Sequence, residues 1–476
     1  MIFASPVFLF LFLPLTLVAY WAFPGRFRKA VLLVASLLFY AWGEARYVPL
    51  ILGSIALNWW IGIRIADAPH AGARRRWAVV GVTANLGVLA IFKYANFAVS
   101  NLNTLAPVLS VAPLSVATIP LPLGISFFTF HAISYIVDVF KRTASVQRGV
   151  AEFALYILLF PQLIAGPIIR YRDIAAQLRA PQPSAAEFTY GMRRFILGLG
   201  KKLLIANTLG RTADDIFGLP ATELGAPLAW LGLLCYSLQI YFDFSGYSDM
   251  AIGLMRMFGF RILENFNYPY VASSVREFWR RWHISLSNWF RDYLYVPLGG
   301  NRSGSARAYA NLVVVFVLCG LWHGASWTFV LWGTWHGVFL VLERARLGRA
   351  LERRRIVAHV YTLAVVAGAW VLFRSDSVGH AIDYYAALAG LSGADPARHP
   401  VARYADGLLV TTLGVAIVCA MPVGRRIAAW LDGAVQRSRE AVVAMTVEGA
   451  WLAAVFVASA ATLAAGTYNP FIYFRF

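Results

Sequence analysis

The sequence predicts an all-α membrane protein that crosses the bilayer several times, and three observations support this fold class. Of its 476 residues, 59% are hydrophobic and only 14% are charged, whereas about 25% of residues are charged in an average soluble domain. Apolar runs long enough to cross a bilayer recur along the chain. These runs lack the strict alternation that a lipid-facing β-barrel requires, so the spans are predicted to be helices.

The charge of the chain favours a membrane partner over nucleic acid. Lysine and arginine number 42 against 23 aspartate and glutamate, which gives a formal net charge of +19. The basic residues lie in short clusters between apolar runs, for example at 26–29, 74–76 and 344–355, and this is the pattern of loops kept on the cytoplasmic side. Membrane lipid is therefore the expected partner of this charge, and nucleic-acid binding is not expected.

Hydropathy predicts about ten to twelve crossings between the basic clusters. The predicted spans lie near residues 3–23, 30–43, 48–65, 77–98, 119–140, 150–168, 226–258, 308–342, 357–373, 407–422 and 448–466.

Three further stretches are predicted to associate with the membrane without being simple spans. Residues 158–173 carry proline and glycine at membrane depth, where broken backbone is tolerated only inside protein or beside a water-filled cavity. Residues 184–206 have the spacing of an amphipathic helix on the cytoplasmic face. Residues 274–302 are dense in aromatic and charged side chains, which predicts a pair of interfacial or re-entrant helices. The more polar stretch 374–406 is predicted to be a loop.

The run between Arg307 and Arg344 is too long for one perpendicular span. Its 36 residues contain no lysine or arginine, and as a single helix they would extend about 54 Å, whereas a bilayer core is about 30 Å thick. Either the helix is steeply tilted, or it breaks near Gly320 and Gly324. Both alternatives place His323 deep in the membrane.

His323 and His283 are the candidate chemical groups. An ionisable side chain inside a membrane segment is costly and often functional, and imidazole exchanges protons near neutral pH. Transfer of an acyl group to a hydroxyl needs a base and a donor to the carbonyl oxygen. His323 is the candidate base or transient acyl carrier, and His283 is the candidate second proton or oxyanion group. For His323 and His336, the second histidine of the same apolar run, the alternative is a neutral imidazole bonded to nearby backbone.

Other catalytic patterns are absent from the sequence. It contains no G-x-S-x-G, P-loop, H-E-x-x-H or C-x-x-C motif, so no metal and no bound cofactor is expected. Asp243 and Asp249 are acidic residues in an apolar run, and they are predicted either to line a pathway, to bind a cation, or to be bonded to Ser or Tyr hydroxyls within the bundle.

Around these candidate histidines and acids, the sequence resembles a known protein family. The resemblance is to the membrane-bound O-acyltransferase (MBOAT) family, and within it to the bacterial branch typified by alginate O-acetyltransferases. The matching phrases are FPQLIAGPIIRY at 160–171, QIYFDFSGYSDMAIG at 239–253, EFWRRWHISLSNWFRDYLYVPLGGNR at 277–302, GLWHGASWTFVLWGTWHG at 320–337 and NPFIYFRF at 469–476.

The resemblance implies a ring of tilted helices around a central tunnel, in one integral-membrane domain over residues 1–476. N-terminal helices would occupy 1–140, the catalytic core 150–342 and C-terminal helices 343–476. His323 matches the essential membrane-embedded histidine of the family, and His283 matches its second active-site position. The implied reaction, at the bacterial inner membrane, takes acetyl from cytosolic acetyl-CoA as co-substrate. It passes acetyl to a periplasmic acetyltransferase partner and a polysaccharide acceptor.

Further residues are candidates for binding roles. Three arginines of the 277–302 phrase are predicted either to bind the phosphates of coenzyme A or to anchor the interfacial helices. They are Arg280, Arg281 and Arg291. Candidates to contact substrate or line the tunnel are Trp322, Ser326, Ser285, Asp243, Gln239, Trp282 and His336. Of these, His336 is expected to serve in packing or tunnel lining.

The acceptor and two alternative functions stay open at this point. Some members of the alginate branch carry histidine where this chain has Gln162, so alginate, peptidoglycan and cellulose are all possible acceptors. The alternatives are a transporter that exports polysaccharide or an acetyl-bearing lipid, and a scaffold that docks a periplasmic enzyme.

Overall fold

The computed structural model describes residues 2–302, 304–424, 438–466 and 468–470. Within these ranges the regular secondary structure is helical, as the sequence predicts. The last part of the NPFIYFRF phrase, 471–476, lies outside the described residues.

Five helical segments of the described chain are long and apolar enough to cross a membrane. They are Gly25–Ala66, Ala71–Leu109, Ser305–His323, Arg355–Arg374 and Met445–Ala464. The chain is therefore a multi-pass, all-α membrane protein. The larger count of about ten to twelve crossings stays a prediction from hydropathy.

The chain divides into two compact units, one of Met1–Met192 with Ala251–Leu263 and one of Arg193–Met250 with Glu264–Phe476. The division into 1–140, 150–342 and 343–476 stays a prediction.

The first unit contains the helices that precede residue 193. They are α1 (Leu13–Ala22), α2 (Arg28–Glu44), α3 (Val48–Ala66), α4 (Ala71–Leu109), α5 (Ile125–Phe140), α6 (Val150–Leu158), α7 (Phe160–Leu163), α8 (Tyr171–Arg179) and the start of α9 (Ala185–Gly200).

The predicted break in the backbone at 158–173 is confirmed. α6 and α7 are followed by non-helical backbone that is buried as far as Arg170. Its polar groups find partners inside the protein, because the Ile169 N–H donates to Nε2 of His131 at 3.3 Å and the Tyr171 N–H donates to Oγ of Ser134 at 3.2 Å. Buried side chains thus supply the hydrogen bonds that a broken helix loses.

The second unit contains the remaining helices, of which α11 also contributes residues to the first. They are α10 (Asn207–Phe217), α11 (Ala226–Met257), α12 (Val275–Arg281), α13 (Ile284–Phe290), α14 (Ser305–His323), α15 (Trp327–Leu342), α16 (Gly348–Glu352), α17 (Arg355–Arg374), α18 (Val378–Leu388), α19 (Gly407–Cys419) and α20 (Ser438–Ala464).

Three expectations for this unit meet the structure directly. The stretch 274–302 forms the predicted helix pair, α12 and α13, and the long run after Arg307 breaks between α14 and α15. The predicted loop at 374–406 is wrong in part, because α18 lies within it. α18 buries Ala381, Tyr384 and Ala387 on one face, and this short apolar stripe was hidden by the polar residues around it.

Glycines bring α14 and α15 into close contact. A Cβ atom at Gly333 would collide with the main-chain carbonyl of Phe316, and one at Gly320 would collide with that of Phe329. Small residues let helix backbones approach in this way inside membranes.

Gly333→Ala is therefore expected to destabilise the protein by about 1–3 kcal/mol, because the α14–α15 pair must separate to admit the methyl group. The matched control is Gly414→Ala in α19, where nothing lies within 4 Å of the added Cβ. That change should be neutral or stabilising. The measurement is the midpoint of thermal unfolding in detergent, and equal midpoints for the two variants would contradict the expectation.

Candidate active site

The break after α14 positions His323. The helix ends at His323 itself, and Gly324 continues in an extended conformation with φ −161° and ψ 149°. Ser326 precedes α15, and its hydroxyl lies 2.7 Å from that of Thr328. His323 thus lies at a helix end inside the protein, with 3% of its surface exposed.

Aromatic rings surround the His323 imidazole. Its centroid lies 5.0 Å from that of Trp322, 5.1 Å from that of Trp332 and 5.2 Å from that of Phe373. All three rings stand edge to face with the imidazole. This packing limits rotation of the imidazole, and in such an apolar environment charges that develop during a reaction interact strongly.

A tight turn between α12 and α13 positions His283. Its backbone is left-handed, with φ 43° and ψ 53°, a conformation that costs an L-residue about 1–2 kcal/mol. Two main-chain hydrogen bonds stabilise the turn. The N–H of Asn267 donates to the carbonyl of Arg281 at 2.9 Å, and the N–H of Ile284 donates to the carbonyl of Asn265 at 3.0 Å.

The fold brings the two histidines together. The ring centroids of His283 and His323 are 6.5 Å apart, and Trp322 lies 6.2 Å from His283. Phe244 packs edge to face against the His283 imidazole, and the two ring centroids are 4.6 Å apart. Because a base acts over about 2.6–3.2 Å, both imidazoles are close enough to serve one reacting centre.

Asn265 is the polar centre of the His283 turn. Its Oδ1 accepts the main-chain N–H of Ser285 at 3.1 Å and the Ser285 hydroxyl at 2.9 Å, and it lies 3.2 Å from Nδ1 of His283. Its Nδ2 donates to Oγ of Ser248 at 3.0 Å. Ser285, a predicted substrate contact, therefore has its hydroxyl bonded to Asn265.

His336 occupies a different position from His323. The indole N–H of Trp279 donates to its Nδ1 at 3.3 Å, and the ring of Trp332 packs against both His336, at 5.0 Å, and His323, at 5.1 Å. The packing or tunnel-lining role expected for His336 stays a prediction.

The two acids of α11 are each bonded to cations. Asp243 forms a buried ion pair with Lys202 at 2.5 Å. Asp249 is paired with Arg194 and Lys201, each at 2.6 Å. Both acids are thus paired with lysine or arginine inside the protein, and the three alternatives for them stay predictions.

The two remaining predicted contacts, Trp282 and Gln239, lie in packed surroundings. The Trp282 ring is 5.0 Å from Phe266 and 4.9 Å from Trp370. Gln239 is buried with its amide against Gly210.

The predicted phosphate-binding arginines separate into two groups. Arg280 and Arg291 line a cavity together with Arg276, which was not among the residues predicted from sequence. Arg281 bonds to Glu277 at 2.8 Å and to the carbonyl of Asn267 at 3.0 Å, and Arg291 is also paired with Asp292 at 2.7 Å. These bonds tie Arg281 to α12 and to the chain at Asn267, and the two roles predicted for these arginines stay predictions.

Two carboxylates near these arginines have shifted pKa values. Burial acts to raise the pKa of Glu277, but hydrogen bonds from Ser273 and Arg281 outweigh it, and the pKa lies below its usual value. Burial raises the pKa of Glu343, although the N–H groups of Val275 and Arg276 donate to its carboxylate. Glu343 thereby caps the start of α12.

The arginine-lined cavity is lined in part by residues that neighbour the two histidines in sequence. It has a volume of about 360 Å³, and its apolar lining includes Ile284, next to His283, and Cys319, one helical turn before His323. A second cavity of about 790 Å³ shares Arg276 in its lining and adds Arg344 and Arg355. In the described part of the chain, three or more His, Cys, Asp or Glu side chains nowhere come together as a metal-binding group.

Sequence reasoning missed Asn265, Arg276 and Lys202. Arg276 belongs to the same charged stretch as Arg280, four residues earlier, and the helical period alone places both on one face. Asn265 carried no comparable signal, because its importance depends on which backbone it meets in the folded chain.

Comparison with known proteins shows which family and which relatives this sequence is similar to. Residues 122–367 match the membrane-bound O-acyltransferase family. The chain is 46% identical to the probable alginate O-acetylase AlgI of Azotobacter vinelandii, over 82% of this chain and 78% of that protein. It is 41% identical to the protein of the same name from Pseudomonas putida, over 100% of both chains. It is also 36% identical to the peptidoglycan O-acetyltransferase of Helicobacter pylori, over 83% of this chain and 80% of that protein.

Proposed function

The chain belongs to the membrane-bound O-acyltransferase family and is an O-acyltransferase, and from that premise we propose that it moves acetyl from cytosolic acetyl-CoA across the bacterial inner membrane for O-acetylation of an exopolysaccharide. The observation that carries the proposal is the pair of buried imidazoles, 6.5 Å apart, on chain segments that also supply Ile284 and Cys319 to the lining of an arginine-lined cavity.

The lining of this cavity suits a thioester donor such as acetyl-CoA. Guanidinium groups bind phosphates by paired, charge-assisted hydrogen bonds, and Arg276, Arg280 and Arg291 would receive the phosphates of coenzyme A. The apolar lining at Ile284 and Cys319 would receive the acetyl end of the donor. The thioester would then lie next to the histidine pair.

The relatives favour an alginate-like acceptor. Two relatives named as probable alginate O-acetylases are 41–46% identical to this chain, against 36% for the named peptidoglycan O-acetyltransferase. A periplasmic acetyltransferase would finish the transfer onto the sugar hydroxyls. Peptidoglycan is the second candidate acceptor because the Helicobacter relative aligns over most of its length.

The test uses purified protein in lipid vesicles with labelled acetyl-CoA. Release of free coenzyme A thiol is measured first, and label transfer is then measured to alginate oligosaccharides, muropeptides and cellulose oligosaccharides, each with a periplasmic extract. Label on alginate above the other two supports the proposal. Label on muropeptides alone would assign the second candidate, and no consumption of acetyl-CoA would overturn the donor.

The arginines supply a sharper prediction. Arg276→Gln combined with Arg280→Gln is expected to raise KM for acetyl-CoA by ~10-fold or more, because each charge-assisted hydrogen bond contributes about 1.5–3 kcal/mol, while kcat changes little. Acetyl-pantetheine lacks the nucleotide phosphates, so the same variant should use it as well as the unaltered protein does. The control is Arg302→Gln, since Arg302 is exposed and lines neither cavity. A rise in KM that is equal for both donors would contradict the phosphate contact.

A further inference from the structure

The hydrogen bonds at Asn265 determine which nitrogen of His283 carries the proton. A main-chain N–H can only donate, so the atom of Asn265 that lies 3.1 Å from the Ser285 nitrogen must be the amide oxygen. The same oxygen lies 3.2 Å from Nδ1 of His283. Because this oxygen has no hydrogen to give, Nδ1 of His283 must be the donor.

The other nitrogen of His283 is then a free base. A neutral imidazole carries one N–H, so Nε2 of His283 holds a lone pair. Nε2 is buried and has no hydrogen-bond partner among the residues that the structure describes. An unsatisfied buried acceptor is unfavourable, and such a site is suited to accept a proton from a ligand.

Two other buried histidines show the opposite arrangement. Nδ1 of His336 accepts from the indole N–H of Trp279, and Nε2 of His131 accepts from the main-chain N–H of Ile169. In each neutral ring the remaining nitrogen therefore carries a proton. His283 differs from both, since its remaining nitrogen can accept one.

We infer that Asn265 is a positioning residue that holds His283 as its Nδ1–H tautomer and so makes Nε2 of His283 the proton acceptor for the hydroxyl that is acylated. This inference rests on the proposed function and changes the division of roles expected from sequence, in which His323 was the base or a transient acyl carrier. His323 is then the group available to the carbonyl oxygen of the thioester.

The step balances as follows. The acceptor O–H bond breaks, its proton forms an N–H bond at Nε2 of His283, and the oxygen bonds to the thioester carbonyl carbon. The carbon–sulfur bond then breaks, and the imidazolium returns the proton to the departing thiolate. Throughout, Oδ1 of Asn265 accepts the Nδ1–H and stabilises the transient imidazolium, as an acceptor behind a catalytic histidine does elsewhere.

The first test measures the tautomer in protein labelled with ¹⁵N-histidine in lipid vesicles, at a pH where the ring is neutral. The chain has eight histidines, so the His283 signals are assigned by their loss in His283→Asn. Asparagine tolerates the left-handed backbone and its side-chain amide can still donate to Asn265. The expected spectrum has a protonated Nδ1 and an unprotonated Nε2, and the reverse assignment would overturn the inference.

The second test uses variants of Asn265. Asn265→Ala is expected to lower kcat by ~10²-fold, the size of a general-base contribution, with KM for acetyl-CoA unchanged and the His283 tautomers mixed. Asn265→Asp keeps the acceptor atom, so it should restore the Nδ1–H signal and at least ~10-fold of the lost kcat. The control is Asn267→Ala, which leaves both main-chain bonds of the turn in place and should keep full activity.

The outcomes separate this inference from the proposed function. If Asn265→Ala keeps both the tautomer and kcat, the inference is wrong whatever the reaction. If the unaltered protein shows the expected tautomer but transfers no acyl group from acetyl-CoA, the proposed donor fails while the tautomer assignment holds. The spectrum of the unaltered protein decides the assignment even where Asn265→Ala does not fold.

Discussion

His323→Gln is expected to lower the rate of acetyl transfer by ~10²–10⁴-fold, whether His323 acts on the proton or on the carbonyl oxygen. Glutamine keeps a polar side chain of similar reach, so the aromatic wall around position 323 can stay in place. The measurement is the initial rate with labelled acetyl-CoA at saturating donor, together with the thermal midpoint of each protein. Loss of rate without loss of midpoint identifies a chemical role.

The control is the same substitution at His336. That residue lies in α15, on the other arm of the helix pair, and is equally buried, but its contacts are Trp279 and Trp332. His336→Gln is expected to reduce the rate by less than ~10-fold, through loss of packing. If the two variants lose the same activity, His323 has no special place in the reaction.

Asp243→Ala is expected to destabilise the protein by about 3–5 kcal/mol, because it leaves the charge of Lys202 buried without its carboxylate partner. The exposed fractions of the two side chains are 1% for Asp243 and 4% for Lys202. Water therefore has little access to the remaining charge. Unfolding in mixed detergent micelles measures the change.

Two comparisons test the cause. The double variant Asp243→Leu with Lys202→Met removes both charges and should recover most of the stability, short of about 1 kcal/mol for the hydrogen bond that Lys202 donates to the carbonyl of Pro470. Asp67→Ala removes an exposed ion pair with Arg148 and should change stability by about 0–1 kcal/mol. A double variant as unstable as Asp243→Ala would show that the buried charge is not responsible.

The spans were predictable because a bilayer imposes one strong rule on composition. A helix such as α3 or α17 must be apolar along its whole length, so hydropathy alone located both within a few residues. The break between α14 and α15 was one of two alternatives, since 36 residues without lysine or arginine exceed one crossing. α18 follows neither rule: it is short and lies within polar sequence, so its helix depends on tertiary packing of Tyr384 and its neighbours.

The meeting of the two histidines could be hypothesised from the sequence, but residue spacing alone could not establish it. They are 40 residues apart on different helices, and their spacing carries no period that would place them on one face. What joins them is the left-handed turn at His283 and the extended backbone after His323, and local propensity predicts neither feature. The role of Asn265 is further removed, because it depends on hydrogen bonds to residues before and after it in the chain.

The NPFIYFRF phrase served only as a mark of resemblance, yet its described residues and the tyrosine before them make specific contacts. The Tyr468 hydroxyl donates to Asp214, which Arg374 also contacts. Nδ2 of Asn207 donates to the side chain of Asn469 at 3.1 Å. Sequence could identify this phrase but not its partners, since they come from helices that precede it by more than 90 residues.

The left-handed backbone at position 283 has a consequence for attempts to engineer this enzyme. The conformation is unfavourable for histidine by about 1–2 kcal/mol, and glycine or asparagine would relieve much of that strain. Selection of a variant library for thermal stability alone would therefore tend to replace His283 and to yield stable but inactive proteins. Directed evolution of a more thermally stable enzyme needs an activity screen at every round, because stability and activity favour different amino acids at this residue.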